Sequence, residues 1–182
     1  MKTLILGGVK SGKTRYAESL ARASGKPVVV IATAQALDDE MAERIRQHKA
    51  NRPADWLVVE EPLALGKTIQ ARTEGAFILV DCLTVWLTNL LMLDDDQRLV
   101  TELDSLLSVL SSLPNSIALV SNETNMGVVP AGELSRRYCD RAGVLNQRVA
   151  GACDQLTLMV AGLPLHLKGE PQKGRDMKGG QA

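Results

Sequence analysis

Gly7, Gly8, Val9, Lys10, Ser11, Gly12, Lys13 and Thr14 run consecutively and fit the pattern G-x-x-x-x-G-K-[ST]. Glycines at this spacing let backbone N–H groups turn inward around phosphate oxygens, while a following helix aims its positive end at them. Lys13 is then placed to reach the β- and γ-phosphates of a nucleotide, and the Thr14 hydroxyl to ligate Mg²⁺ or a similar divalent ion. Such a site needs a metal-side carboxylate at the end of a buried strand. Asp81, which closes the run FILVD, is the candidate. Alone it is better read as the cap of the next helix; the phosphate loop favours the metal role. No asparagine is followed by lysine, so the N-K-x-D guanine signature of regulatory GTPases is absent. Arg136, Arg137 and Arg141 are candidate cations for a transferring phosphoryl group, against a plain reading as a solvated helix face. Of the two histidines, His48 follows Met41 and Ile45 at helical spacing and shares their face. That placement more often marks a core or boundary residue than a catalyst. His166 alternates with Leu165 and Leu167 and reads as structural.

Short β-rich runs alternate with helix-length stretches and position these residues. Strands are expected at residues 3–6, 27–32, 56–59, 76–80, 116–120, 156–161 and 165–168, and helices at 12–23, 37–50, 62–72, 83–92, 97–113 and 132–152. Asp38 or Asp39 is a natural N-cap for the helix carrying His48. The triplet Asp94, Asp95 and Asp96 separates two helices. Continuous apolar strands suggest burial on both faces, as in a parallel sheet covered by helices. The expected fold is therefore α/β, P-loop NTPase-like (RecA-like), with a mostly parallel sheet. Gly162, Leu163 and Pro164 form too short a link for a parallel crossover, so the last strand should be an antiparallel edge. A single domain should span residues 1–168, and residues 169–182, with four glycines and almost no apolar side chains, should form a disordered tail.

The chain has 182 residues, enough to bury a core without staples. Lys+Arg and Asp+Glu both number 21, so the formal net charge is zero. That balance argues against a nucleic-acid binder or an anionic-membrane binder. Aromatics are only 3%, too few for a stacking platform on single strands. Cys82, Cys139 and Cys153 form no C-x-x-C pair, which disfavours a disulfide framework and suits a reducing cytoplasm. No apolar run approaches a membrane span, and the N-terminal run is too short for a signal peptide.

Beyond the phosphate loop, several strings carry a family resemblance. They are residues 31–56 (IATAQALDDEMAERIRQHKANRPADW), 80–91 (VDCLTVWLTNLL) and 120–130 (VSNETNMGVVP), then Arg136 through Asp140, Gly143, Asn146 and Gln147. Over residues 1–168 the chain resembles the bifunctional adenosylcobinamide kinase/adenosylcobinamide-phosphate guanylyltransferase family of cobalamin biosynthesis. The resemblance implies a nucleoside triphosphate, ATP or GTP, phosphorylating adenosylcobinamide. It then implies GMP transfer from GTP to that phosphate, giving adenosyl-GDP-cobinamide. The transfer runs through a guanylylated histidine, and His48 stands at the family's position. The resemblance also implies a homotrimer.

Chemistry makes that role intelligible, since a mostly neutral imidazole is a competent nucleophile at pH 7 and a covalent intermediate divides a hard transfer into two easier ones. Lys49 and Arg52 can neutralise the developing phosphate charge, or form a solvated helix end. Glu60 matches a family glutamate that contacts the nucleotide, and its carboxylate can accept from guanine N1–H and N2–H₂. Thr33, with Ala32 and Ala34 beside it, follows the second strand at the end where open α/β sheets place ligands. The loop 124–130 is placed to cover the corrinoid, or is a plain surface loop. Two other readings compete: a simple P-loop kinase with His48 structural, and a nucleotide-binding module without turnover.

Overall fold

The computed structural model describes residues 1–36, 38–50, 52–72 and 75–169, leaving out the side chains of Arg44, His48 and Lys49. The tail expected at 169–182 lies, from residue 170 onward, outside the described residues. In chain order the elements are β1 (Lys2–Gly7), α1 (Lys13–Ala23), β2 (Val28–Ala32), α2 (Asp39–Ala50), β3 (Leu57–Glu60), α3 (Leu65–Gln70), β4 (Phe77–Asp81), α4 (Leu83–Met92), α5 (Asp96–Ser112), β5 (Ser116–Val120), α6 (Glu133–Ala152), β6 (Gln155–Val160) and β7 (Leu163–Lys168). The strands form one sheet in the order β3-β2-β4-β5-β1-β6-β7. Every pairing is parallel except that of β6 with β7.

Alternation along the pleat sends successive side chains to opposite faces. Leu4, Ile31, Ile78, Val80 and Leu119 pack under α3, α4, α5 and α6, against Leu65, Trp86, Leu106 and Leu145. Ile5, Val30, Leu79 and Ala118 pack under α1, against Ala17, Leu20 and Ala21. Both faces of the central strands are thus dry, which is why their sequences read as unbroken apolar runs. Asp38 caps α2 by accepting from Met41 N (2.7 Å), and Asp95 caps α5 by accepting from Arg98 N (2.9 Å). These caps satisfy N–H groups that a helix start leaves unpaired.

Two expectations are corrected. The helix expected at 62–72 shrinks to α3, because Glu61 Oε1 accepts from Leu63 N (2.8 Å) and Ala64 N (2.7 Å) and holds the entry as a turn. The final strand begins at Leu163 rather than Leu165. Ala161 (φ 51) and Gly162 (φ 83) alone make the turn between β6 and β7. Two consecutive positive φ angles are what a two-residue hairpin requires.

Candidate active site

The parallel strands β1, β2, β3, β4 and β5 all deliver their C-terminal ends to one edge, and a cleft of about 1060 Å³ opens there. Its floor is the phosphate loop, where Lys10 (φ 55) and Gly12 (φ 94) are left-handed and turn the chain into α1. Gly12 also meets the β6–β7 turn closely: a Cβ there would lie 3.3 Å from Gly162 Cα, and Gly162 N donates to Ser11 O at 3.0 Å. The hairpin thereby props the loop from the side.

Lys13 is buried, 7% exposed, and its Nζ donates to Gly8 O at 2.6 Å. Burial lowers its pKa from the ordinary lysine value, against the opposing pull of Cys82 and Asp81. A poorly solvated cation at a helix N-terminus is a standing demand for an anion. Ser11 Oγ is likewise buried and takes no partner among the described residues, so a phosphate oxygen would satisfy it.

Asp81 ends β4 opposite this loop and pairs with Arg52, Oδ2 to Nη2 at 2.7 Å; the two side chains are 13% and 5% exposed. Arg52 Nε is buried with no partner among the described residues, although Arg52 lines the cleft. Thr14 and Asp81 both line the cleft and offer a hydroxyl and a carboxylate. That donor set fits Mg²⁺, which takes few protein ligands and completes its shell with substrate phosphates and water. Among the described residues no three His, Cys, Asp or Glu side chains gather as a self-sufficient metal cage.

The family model for cobinamide kinase / cobinamide phosphate guanyltransferase matches residues 3–167. The chain belongs to this family. It is 59% identical over 172 residues to the bifunctional adenosylcobalamin biosynthesis protein CobP of Pseudomonas aeruginosa, covering 94% of this chain and 99% of that one. It is 38% identical over 182 residues to the corresponding CobU of Escherichia coli, covering 92% of this chain and 100% of that one. Among solved structures, the RadB recombinase matches with a TM-score of 0.51 at 16% identity, covering 86% of this chain and 73% of that one. The fold is that of RecA-like P-loop proteins, and membership of the family makes the chain a transferase with kinase and guanyltransferase activities. No helix among the described residues is long and apolar enough to cross a membrane.

Against the family reading, Val9, Lys10, Ser11, Gly12, Lys13, Thr14, Ala32, Ala34, Arg52, Glu60 and Asp81 all line the one cleft. α2 forms its wall through Glu40, Met41, Glu43, Ile45 and Gln47. His48 and Lys49 lie on α2, but their side chains fall outside the described residues. Thr33 differs from expectation. It is fully buried, its hydroxyl donating to Cys82 O (2.8 Å) and accepting from Cys82 N (3.0 Å), so it stitches β2 to β4. The arginines on α6 are also turned elsewhere. Arg137 pairs with Asp94 and Asp96 and Arg141 with Asp96, while Arg136 donates to the Pro130 and Ala131 carbonyls. His166 is half-buried, 3.1 Å from Thr157 Oγ1 through Nδ1, as a structural residue would be.

Sequence reasoning missed Arg15, Val85, Ala161 and Gly162 as cleft residues. A tight link was legible, though expected at Gly162, Leu163 and Pro164 rather than at Ala161 and Gly162, but nothing local in the chain says that it leans on the phosphate loop.

Proposed function

We propose that this enzyme phosphorylates the aminopropanol hydroxyl of adenosylcobinamide from ATP or GTP, and then transfers GMP from GTP to adenosylcobinamide phosphate through a guanylylated His48. The single observation that carries the reading is the cleft itself, in which the phosphate loop with buried Lys13 faces a wall made by the helix bearing His48. Lys13, Ser11 and the loop N–H groups bind the triphosphate and stabilise charge that develops in transfer. Thr14 and Asp81 would hold Mg²⁺, whose chemistry is to neutralise the phosphate oxygens. Arg52, already buried at the cleft, and Lys49 complement phosphate charge on the α2 side. Glu60, at the far end of the cleft on β3, is suited to accept from guanine. Three free cysteines suit a reducing cytoplasm. A homotrimer belongs to the same reading and rests on the resemblance.

The test is labelling with GTP carrying ³²P at the α-position, with Mg²⁺ and without corrinoid, on wild type and His48→Ala. The expected outcome is acid-labile, base-stable label on wild type alone, the signature of a phosphoramidate. Kinase activity should survive in His48→Ala. A folded, GTP-binding wild type that takes no label would leave a kinase in which His48 is structural.

A further inference from the structure

The sheet order places β5 between the strand that carries the phosphate loop, β1, and the strand that ends in Asp81, β4. Val120 is in register with both Ile5 and Asp81. Whatever follows Val120 therefore emerges between the phosphate loop and the metal-side carboxylate, about 5 Å from each neighbouring strand. The backbone N–H groups of Ser121 and Asn122 are spent on structure: Ser121 N donates to Ile5 O (3.0 Å) and Asn122 N to Thr84 Oγ1 (2.7 Å). Next comes Glu123.

Glu123 N donates to Gly7 O at 3.0 Å, which pins its backbone to the first residue of the phosphate loop. Its Oε1 accepts from Asn125 N at 2.8 Å, which orients the half-buried carboxylate. Among the described residues, its Oε2 takes no hydrogen bond. On one side of it Asn122 lines the nucleotide cleft; on the other Thr124 opens a second groove of about 370 Å³ between the loop 124–130 and α6. Glu123 sits between these two linings, and the carboxylates that line the cleft itself are placed differently. Asp81 holds Arg52, Glu40 and Glu43 ride on α2, and Glu60 ends β3, four strands from β1 and so about 19 Å away.

The two reactions differ in their need for a base. An alcohol must shed its proton as it attacks phosphorus, whereas a phosphate monoester is already anionic at neutral pH. We propose that Glu123 is the general base of the phosphoryl-transfer step alone, an assignment that rests on the kinase reading above. As the acceptor oxygen bonds to the γ-phosphorus, its proton passes to the Glu123 carboxylate. The bond from the γ-phosphorus to the β–γ bridging oxygen breaks, and its electron pair leaves with the nucleoside diphosphate. The carboxylic acid then releases its proton to solvent.

The experiment compares full-length wild type, Glu123→Gln and Glu123→Asp in three measurements. These are phosphorylation of adenosylcobinamide by ATP across pH, GMP transfer from GTP to adenosylcobinamide phosphate, and ATP affinity. In Glu123→Gln the kinase kcat should fall about 10²- to 10⁴-fold and lose the acid limb of its pH profile. Transfer rate and ATP affinity should stay within about threefold of wild type, less than one rate decade. Glu123→Asp should keep the acid limb at an intermediate rate, and this variant serves alone if Glu123→Gln does not fold. A Glu123→Gln kinase rate near wild type, a joint fall in both reactions and ATP affinity, or an acid limb missing from Glu123→Asp would each overturn the assignment. A wild type that leaves adenosylcobinamide unphosphorylated would instead overturn the kinase reading, and the assignment with it.

Discussion

The phosphate loop, which follows β1, and α2 face each other across one cleft. β1 is buried over residues 3–7, whereas no described side chain of α2 is buried. α1, which continues the phosphate loop, buries Lys13, Ala17, Leu20 and Ala21. α2 instead depends on its Asp38 cap and on surface pairs such as Gln47 Nε2 with Glu43 Oε1 (2.8 Å). The difference teaches how one pocket can serve two transfers. On the proposed reading, phosphate is gripped by the more deeply buried side of the cleft, because preorganised donors lose no free energy to rearrangement. The proposed histidine is carried by the part that local opening can shift cheaply, since few buried apolar contacts mean a low local stability. The tie between the two sides is the Arg52–Asp81 pair, anchored just beyond the end of α2.

Replacing the anchor of the rigid side gives the largest effect. Lys13→Ala should lower kcat/KM for both reactions by about 10³-fold or more, on the order of 4 kcal/mol of transition-state binding, as measured by steady-state assays of each half-reaction. Retention of either activity would separate the two nucleotide sites and break the comparison. A matched pair sharpens it. Ile5→Ala, in fully buried β1, should cost about 2–5 kcal/mol in urea unfolding, and Ile45→Ala, half-exposed on α2, less than about 1 kcal/mol. Cutting the tie comes next: Arg52→Ala should cost about 1–3 kcal/mol by leaving a largely buried carboxylate short of its cation. Backbone amides of α2 should then exchange hydrogen faster while those of β1 remain protected.

The smallest effect concerns Lys13 and pH. Its folded-state pKa lies below the ordinary 10.5, so the unfolded chain binds the extra proton and the ligand-free fold gains stability as pH rises through that interval. Without ligand, Lys13→Met should be more stable than wild type at neutral pH, and the gap should narrow as pH climbs through the folded pKa toward 10.5. Urea midpoints at a series of pH values check the sign.

Much of this arrangement was legible in the chain because it is encoded locally. The phosphate loop is a run of neighbours, the strand at residues 116–120 carries its own apolar pattern, and Asp38 sits beside the helix that it caps. What escaped is encoded at a distance. Thr33 looked like a ligand residue because it directly follows β2, but its hydroxyl is consumed by Cys82, 49 positions away. The α6 arginines read mainly as a solvated helix face, with phosphate cations as the lesser reading, and Arg137 finds Asp94 at a separation of 43 residues. Arg52 read as a solvated helix end or a phosphate ligand, and only folding supplies its buried carboxylate. Glu123 carries no motif at all; its interest comes from sheet order, which no single stretch of sequence displays.

The placement of β1 also bears on how the protein is made. β1 precedes in the chain both strands that it pairs with, β5 and β6, which begin at Ser116 and Gln155. Lys2 N waits for Asp154 Oδ2, 152 positions later, and Ser11 O for the N–H of Gly162. The phosphate loop is thus made before β5 and β6, and is set in its final frame only after both have followed it. A nascent or prematurely stopped chain holds the whole nucleotide motif without the strands that give it shape. The loop therefore gains its frame only after the β6–β7 hairpin has been made.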